Sequence, residues 1–140
     1  MYKLVILIFM TLGIDSHKED ILRLTSFPAC NNVRTGSYYY NAKLDGGTTR
    51  VNIFRTDSTQ VELTKDDKKI AVYSVFWIDS CTYEMKLIEQ IQPIPSSQLD
   101  LKKKMVLKTH ILTTTPDYYI YNSTINIFDK EITDTVWIQK

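Results

Sequence analysis

Cysteine and histidine are scarce in this sequence of 140 residues, which contains two of each. Cys30 and Cys81 form no Cys-x-x-Cys pair, and with His17 and His110 they show none of the close ligand spacing of a zinc motif. His17 lies beside the N-terminal apolar run and His110 stands alone in a predicted strand, so no histidine-based catalytic triad is indicated. The sequence therefore predicts no metal site, no cofactor and no catalytic residue.

The sequence also lacks an excess of charge of either sign. It has 17 lysines and arginines against 16 acidic residues, a net charge of +1, which favours neither nucleic acid nor an anionic membrane as a partner. The basic run Lys102–Lys104 is interpreted as a solvated strand entrance, and Asp66-Asp67 as a turn without the ligand spacing of a calcium loop. Sustained helical periodicity, internal repeats and low-complexity tracts are absent, which indicates one domain over residues 17–140.

Residues 1–16 have the features of a secretory signal peptide. Lys3 precedes the apolar run Leu4–Met10, which is too short to span a bilayer. Cleavage fits after Gly13 or after Ser16, and we take Ser16. The charged residues that follow argue against a lipid anchor at Cys30, so we expect an exported protein of the periplasm or extracellular space without a stable membrane anchor. The alternative is a buried first strand of a cytosolic protein.

An even number of cysteines in an exported chain predicts a disulfide. With two cysteines only one pairing exists, Cys30–Cys81. Closing a loop of about 50 residues is worth roughly 4 kcal/mol in the chain-entropy model.

Nine tyrosines, few glycines and many β-branched residues favour strands. Alternating segments bounded by turn residues predict an all-β fold, an antiparallel up-and-down meander of eight strands that forms a small barrel or a strongly curved sheet. The most apolar segment, Ile70–Ile78, is predicted to be central and buried on both faces, and Pro93–Ser97 to be a loop. The predicted strands cover residues 36–42, 48–56, 60–63, 70–78, 81–88, 105–112, 118–124 and 131–139.

Four tyrosines are candidate ligand-lining residues, because tyrosine offers an apolar ring and a polar tip at small entropic cost. They are Tyr38, Tyr40, Tyr119 and Tyr121, which fall in two predicted strands. The alternative is that they form cross-strand pairs that stabilise the sheet.

Three acidic residues, Glu62, Glu84 and Glu89, are the only glycosidase-like carboxylates that we consider. Acidic residues at alternate strand positions usually form a solvated face, so we assign them no catalytic role.

The segment from Cys30 to Glu84 carries a recognisable pattern. Cys30 is followed by Thr35-Gly36, Arg55 and Gln60-Val61-Glu62, and then by the run Trp77 to Tyr83 with Cys81 inside it. The pattern resembles a family of small exported bacterial proteins of lipocalin-like β architecture with no assigned function. The resemblance covers a third to a half of the chain. It implies the β fold, export and the Cys30–Cys81 bridge, and no catalytic residues.

Three functional hypotheses remain open. The first is a non-enzymatic exported binding or structural module for an unknown small apolar ligand or a protein partner. The second is an envelope hydrolase that uses carboxylate chemistry. The third is an inhibitor or immunity-type protein that acts through an exposed loop such as Gln90 to Leu101. The sequence does not specify an oligomeric state.

Overall fold

The computed structural model describes residues 29–44 and 46–140. Two predictions lie outside these residues: the signal peptide over residues 1–16 and its cleavage site. A 3₁₀ helix, Cys30–Val33, precedes the first strand. The remaining elements are β1 (Gly36–Leu44), β2 (Gly47–Arg55), β3 (Thr59–Thr64), β4 (Lys69–Trp77), β5 (Thr82–Gln90), α1 (Ser96–Lys104), β6 (Val106–Thr114), β7 (Tyr118–Ile125) and β8 (Phe128–Ile138).

The eight strands form a closed barrel in which each strand pairs antiparallel with the next and β8 returns to β1. This confirms the predicted all-β meander and decides between the two predicted shapes in favour of the barrel. The closing seam is short, with only two register pairs, Tyr38 with Ile138 and Tyr39 with Trp137. Among the described residues, no helix has the length and apolar character needed to cross a membrane.

Side chains alternate between the inside and the outside of the barrel, as strand geometry requires. On β2, Val51, Ile53 and Arg55 are buried inside, whereas Phe54 between them is 50% exposed. Asn52 is also buried, and its amide donates to Asp67 Oδ1 at 3.1 Å. The interior of the barrel is thus built from alternate positions of each strand.

A tight hairpin joins the first two strands. Leu44 pairs with Gly47, which leaves a connection of two residues between β1 and β2. Gly47 has a φ of +124°, in the region that glycine adopts without a Cβ penalty.

Two expectations from the sequence are wrong. β4 is not buried on both faces: Ala71 and Val75 face the core, but Phe76 is 69% exposed, because the outer face of a single-layer barrel meets solvent. The chain from residue 96 to 104 forms α1, whereas the sequence indicated a loop through Ser97 and a strand entrance at Lys102–Lys104. The sequence did not predict this helix because α1 buries no residue completely and so carries no apolar stripe.

The two ends of the barrel differ. The 3₁₀ helix lies at the end where β2 finishes, and it is tied there by the Cys30–Cys81 disulfide, with a Cα–Cα distance of 5.1 Å. This confirms the predicted bridge. Val33 of this helix is buried. At the opposite end, α1 connects β5 to β6.

Candidate ligand cavity inside the barrel

Two adjoining cavities lie inside the barrel. The inner cavity has a volume of about 180 Å³, and the outer cavity, on the side of α1, has about 120 Å³. Glu62, Met85 and Leu107 line both, and Lys102 of α1 lines the outer one. The inner cavity is lined by Tyr40, Ile53, Arg55, Gln60, Glu62, Tyr83, Met85, Leu107, Thr109, Tyr119, Tyr121 and Val136.

Arg55 is the charged residue of the inner cavity that contacts the 3₁₀ helix. It pairs in register with Gln60 of β3, which places both side chains on the inner face. Its Nε donates to Gln60 Oε1 at 2.8 Å and its Nη2 to the Tyr119 hydroxyl at 2.8 Å. Its Nη1 donates to the Val33 carbonyl oxygen at 3.4 Å, which links the barrel interior to the 3₁₀ helix.

Every acceptor of Arg55 is neutral, although the residue is only 2% exposed. The guanidinium carries five N–H donors, and these contacts use three of them. Within the described part of the chain Arg55 forms no ion pair. A buried cation is normally paired with a carboxylate or another anion, because burial without compensation is costly.

Aromatic rings supply part of that compensation. The Arg55 guanidinium carbon lies 4.8 Å from the ring centroid of Tyr83, 5.3 Å from that of Tyr38 and 5.7 Å from that of Tyr119. Burial works to lower the pKa of Arg55, but electrostatic attraction to the oxygens of Tyr83 and Tyr119 raises it above its ordinary value. Arg55 therefore stays charged inside the barrel.

Glu62 is the second charged residue of the inner cavity. It lies on β3 opposite Ile53, two positions from the pair Arg55–Gln60. The Tyr73 hydroxyl is 3.5 Å from its Oε2, and the Tyr40 side chain lies near the same carboxylate. Burial raises the pKa of Glu62, against the opposing effects of Lys102 and of these two tyrosine hydroxyls.

Lys102 lies near Glu62 at the end of the barrel where β5 finishes. Its Nζ donates to Gln90 Oε1 at 3.1 Å, which fixes the last turn of α1 against the end of β5. The ammonium is the charge that acts most strongly on Glu62. The lysine run, interpreted from the sequence as solvated, thus contributes one residue to the cavity, while Lys103 and Lys104 are exposed.

The four candidate tyrosines all lie on the inner side of the barrel. Tyr40, Tyr119 and Tyr121 line the inner cavity. Tyr38 is buried beside it, packed edge-on against Tyr119 with ring centroids 5.7 Å apart and donating to the Thr35 carbonyl oxygen at 2.7 Å. Burial raises the pKa of Tyr121 to about 12 and that of Tyr119 well above its ordinary value, so the phenols are neutral hydrogen-bonding groups near pH 7.

Other tyrosines of the same strands face outward, as the alternation predicts. Tyr39 stacks on Trp137 with centroids 6.5 Å apart, and Tyr118 lies against the same ring at 5.2 Å. The guanidinium of Arg50 covers Tyr39 at 3.7 Å. These residues stabilise the outer surface of the barrel and do not reach the cavity.

The three acidic residues considered from the sequence are not brought together. Glu62 faces the cavity, whereas Glu84 pairs with the exposed Phe76 on the outer face and Glu89 is exposed. His110 is exposed, and its Nδ1 lies 2.8 Å from Thr82 Oγ1. In residues 29–44 and 46–140, no group of three or more His, Cys, Asp or Glu side chains has the arrangement of a metal site.

Sequence reasoning did not assign Arg55, Tyr73, Tyr83 or Lys102 to the site. Arg55 had a usable signal, because it shares its strand face with the apolar Val51 and Ile53, and a charged residue on an apolar face marks a polar interior. Tyr83 shares a face with Met85 in the same way. Lys102 had no such signal, since only the fold of α1 brings it to the cavity.

Comparison of the chain with protein-family models, with curated proteins and with solved structures finds no match.

Proposed function

We propose that the protein is an exported binding protein that holds a small ligand inside its barrel. The observation that carries this proposal is the inner cavity itself, in which a guanidinium, a carboxylate and four tyrosine rings line one concave space. Ligand sites are typically concave and combine apolar walls with a few placed polar groups. Met85, Leu107 and Val136 supply such apolar walls here.

The size of the cavity limits the ligand. An apolar protein cavity of about 150 Å³ holds one benzene molecule, so the inner cavity of about 180 Å³ suits a compound of roughly that size. Its charged and phenolic lining favours a polar compound over the apolar ligand that the sequence suggested.

The proposed site of action is outside the cytoplasm. Two observations support it: the apolar N-terminal run with the features of a leader, and the Cys30–Cys81 disulfide, which persists in an oxidising compartment. The intact mass of the protein purified from its own cells tests this. A chain that lacks residues 1–16 and whose cysteines resist alkylation supports export, and a full-length chain with free thiols contradicts it.

Ligand binding is tested with three one-ring probes, the neutral phenol, the anion benzoate and the cation benzylammonium. We expect at least one of them to shift the NMR resonances of Tyr40, Tyr119 and Tyr121. The variant Leu107→Trp fills the space that both cavities share and should abolish the shifts. Leu112→Trp adds the same bulk to the same strand at a position that is 44% exposed, and should leave the shifts unchanged. Binding that survives in Leu107→Trp, or no binding of any probe, overturns the proposal.

A further inference from the structure

Arg55 and Glu62 are opposite charges on neighbouring strands, on the same inner face, and they do not pair with each other. Their strand positions are diagonal, because Arg55 pairs with Gln60 and Glu62 pairs with Ile53. Diagonal neighbours lie about 7–8 Å apart at their backbones, well within reach of two long side chains. No ion pair joins them in the described structure.

Each of the two charged side chains has its own hydrogen-bond partners. Arg55 is directed toward the 3₁₀ helix by its bond to the Val33 carbonyl oxygen and is fixed by Gln60 and Tyr119. Glu62 accepts a hydrogen bond from the Tyr73 hydroxyl at 3.5 Å and lies near Tyr40 and Lys102. Both residues line the inner cavity.

We propose that the inner cavity binds a small zwitterion, with its carboxylate on Arg55 and its ammonium group on Glu62. This inference rests on the proposed function and names the chemical class of the ligand. Arg55 has donors beyond the three that are used, and no anion among the described residues pairs with its charge. An ammonium group brings three N–H donors to Glu62 and lies among tyrosine rings, which attract cations.

A matched set of linear probes tests how much each charge of the ligand contributes to binding. 5-Aminopentanoate carries both charges, separated by about 6 Å when its chain is extended. Pentanoate keeps only the anion, and pentylammonium keeps only the cation. Each charge-assisted contact contributes roughly tenfold or more to affinity. Isothermal titration calorimetry should show 5-aminopentanoate binding at least about tenfold more tightly than either single-charge probe.

Two substitutions test which residue binds the ammonium group of the ligand and which binds its carboxylate. Glu62→Gln keeps the shape but removes the charge, and 5-aminopentanoate should then bind no better than pentanoate. The control Glu84→Gln makes the same change on the outer face and should preserve the preference. Gln60→Glu places a carboxylate beside the Arg55 guanidinium. It should weaken 5-aminopentanoate and pentanoate about tenfold and should not weaken pentylammonium.

Several outcomes overturn the inference. Equal affinity for 5-aminopentanoate and either single-charge probe contradicts it, as does an unchanged preference in Glu62→Gln. If phenol, benzoate or benzylammonium binds in the cavity while none of the linear probes does, the zwitterion is wrong and the proposed function stands. If no probe of either set binds, both fail.

Discussion

Gln60 accepts a hydrogen bond from Arg55 Nε at 2.8 Å across the pairing of β3 with β2, and both residues are 2% exposed. This contact fixes the guanidinium where the other two acceptors, Val33 and Tyr119, can reach it. It thereby connects three parts of the molecule, the strand pair, the 3₁₀ helix and β7.

The first prediction concerns this contact. Gln60→Leu removes an acceptor from a buried charged donor without opening a large void, and we expect it to lower the free energy of unfolding by about 1.5–3 kcal/mol. Urea denaturation followed by circular dichroism measures the change. Gln92→Leu alters an exposed glutamine and should change stability by no more than about 0.5 kcal/mol. Equal effects of the two substitutions would show that Gln60 does not hold Arg55 in place.

The second prediction concerns the disulfide. The cysteines are 51 positions apart, so the chain-entropy model assigns the bridge about 4 kcal/mol through the unfolded state. The double variant Cys30→Ser, Cys81→Ser should lose about this amount. Dithiothreitol should lower the urea midpoint of the native protein and leave that of the double variant unchanged. A native protein as stable with reductant as without it contradicts the prediction.

The third prediction is a pH dependence. In the folded protein, burial raises the pKa of Glu62 above its ordinary value of 4.5. At pH values between the ordinary and the raised pKa, the folded state therefore binds more protons than the unfolded chain. Stability must therefore fall as the pH rises through that window, by no more than about 1.4 kcal/mol per pH unit for one group. Urea midpoints from weakly acidic to neutral pH measure the slope.

Two substitutions isolate the contribution of Glu62 to this slope. Glu62→Gln should remove it, and Glu84→Gln should keep it. Lys102→Met removes the nearby cation that opposes the shift, and should extend the fall to higher pH. A slope that is the same in Glu62→Gln as in the native protein would assign the pH dependence to another group.

Much of this fold is readable from the sequence, because a strand with one face inside and one outside leaves an alternating pattern. The alternation of Val51, Ile53 and Arg55 with Phe54 is visible without coordinates, and so is the turn before Gly47. These patterns are local, since each depends on residues that are neighbours in the chain.

Other features that escaped prediction have no local pattern. Closure of the barrel depends on the pairing of Tyr38 and Tyr39 with residues almost 100 positions away. The cavity also escapes, because the same inward alternation produces a solid core or a hollow one depending on side-chain packing. Tyr73 and Tyr40 lie near Glu62, although they belong to β4 and β1, which are not consecutive strands.

The last prediction concerns the closing seam between β1 and β8, where Trp137 forms one of only two register pairs. Its ring lies against Tyr39 and Tyr118, and each aromatic pair contributes about 0.5–1.5 kcal/mol beyond buried area. Trp137→Ala should therefore destabilise the protein by roughly 1–3 kcal/mol. It should also speed amide hydrogen exchange in β1 and β8 more than in β4, because a short seam opens locally before the rest of the barrel.

Phe128→Ala provides the control for Trp137→Ala. Phe128 lies at the other end of β8 and is 48% exposed, away from the seam pairs. Its loss should change stability by about 0.5 kcal/mol or less and leave exchange in β1 unaffected. If both variants raise exchange uniformly over all strands, the barrel unfolds as one unit, and the seam is no weaker than the other strand pairs. If Trp137→Ala acts on β1 and β8 alone, the two aromatic contacts keep the barrel closed.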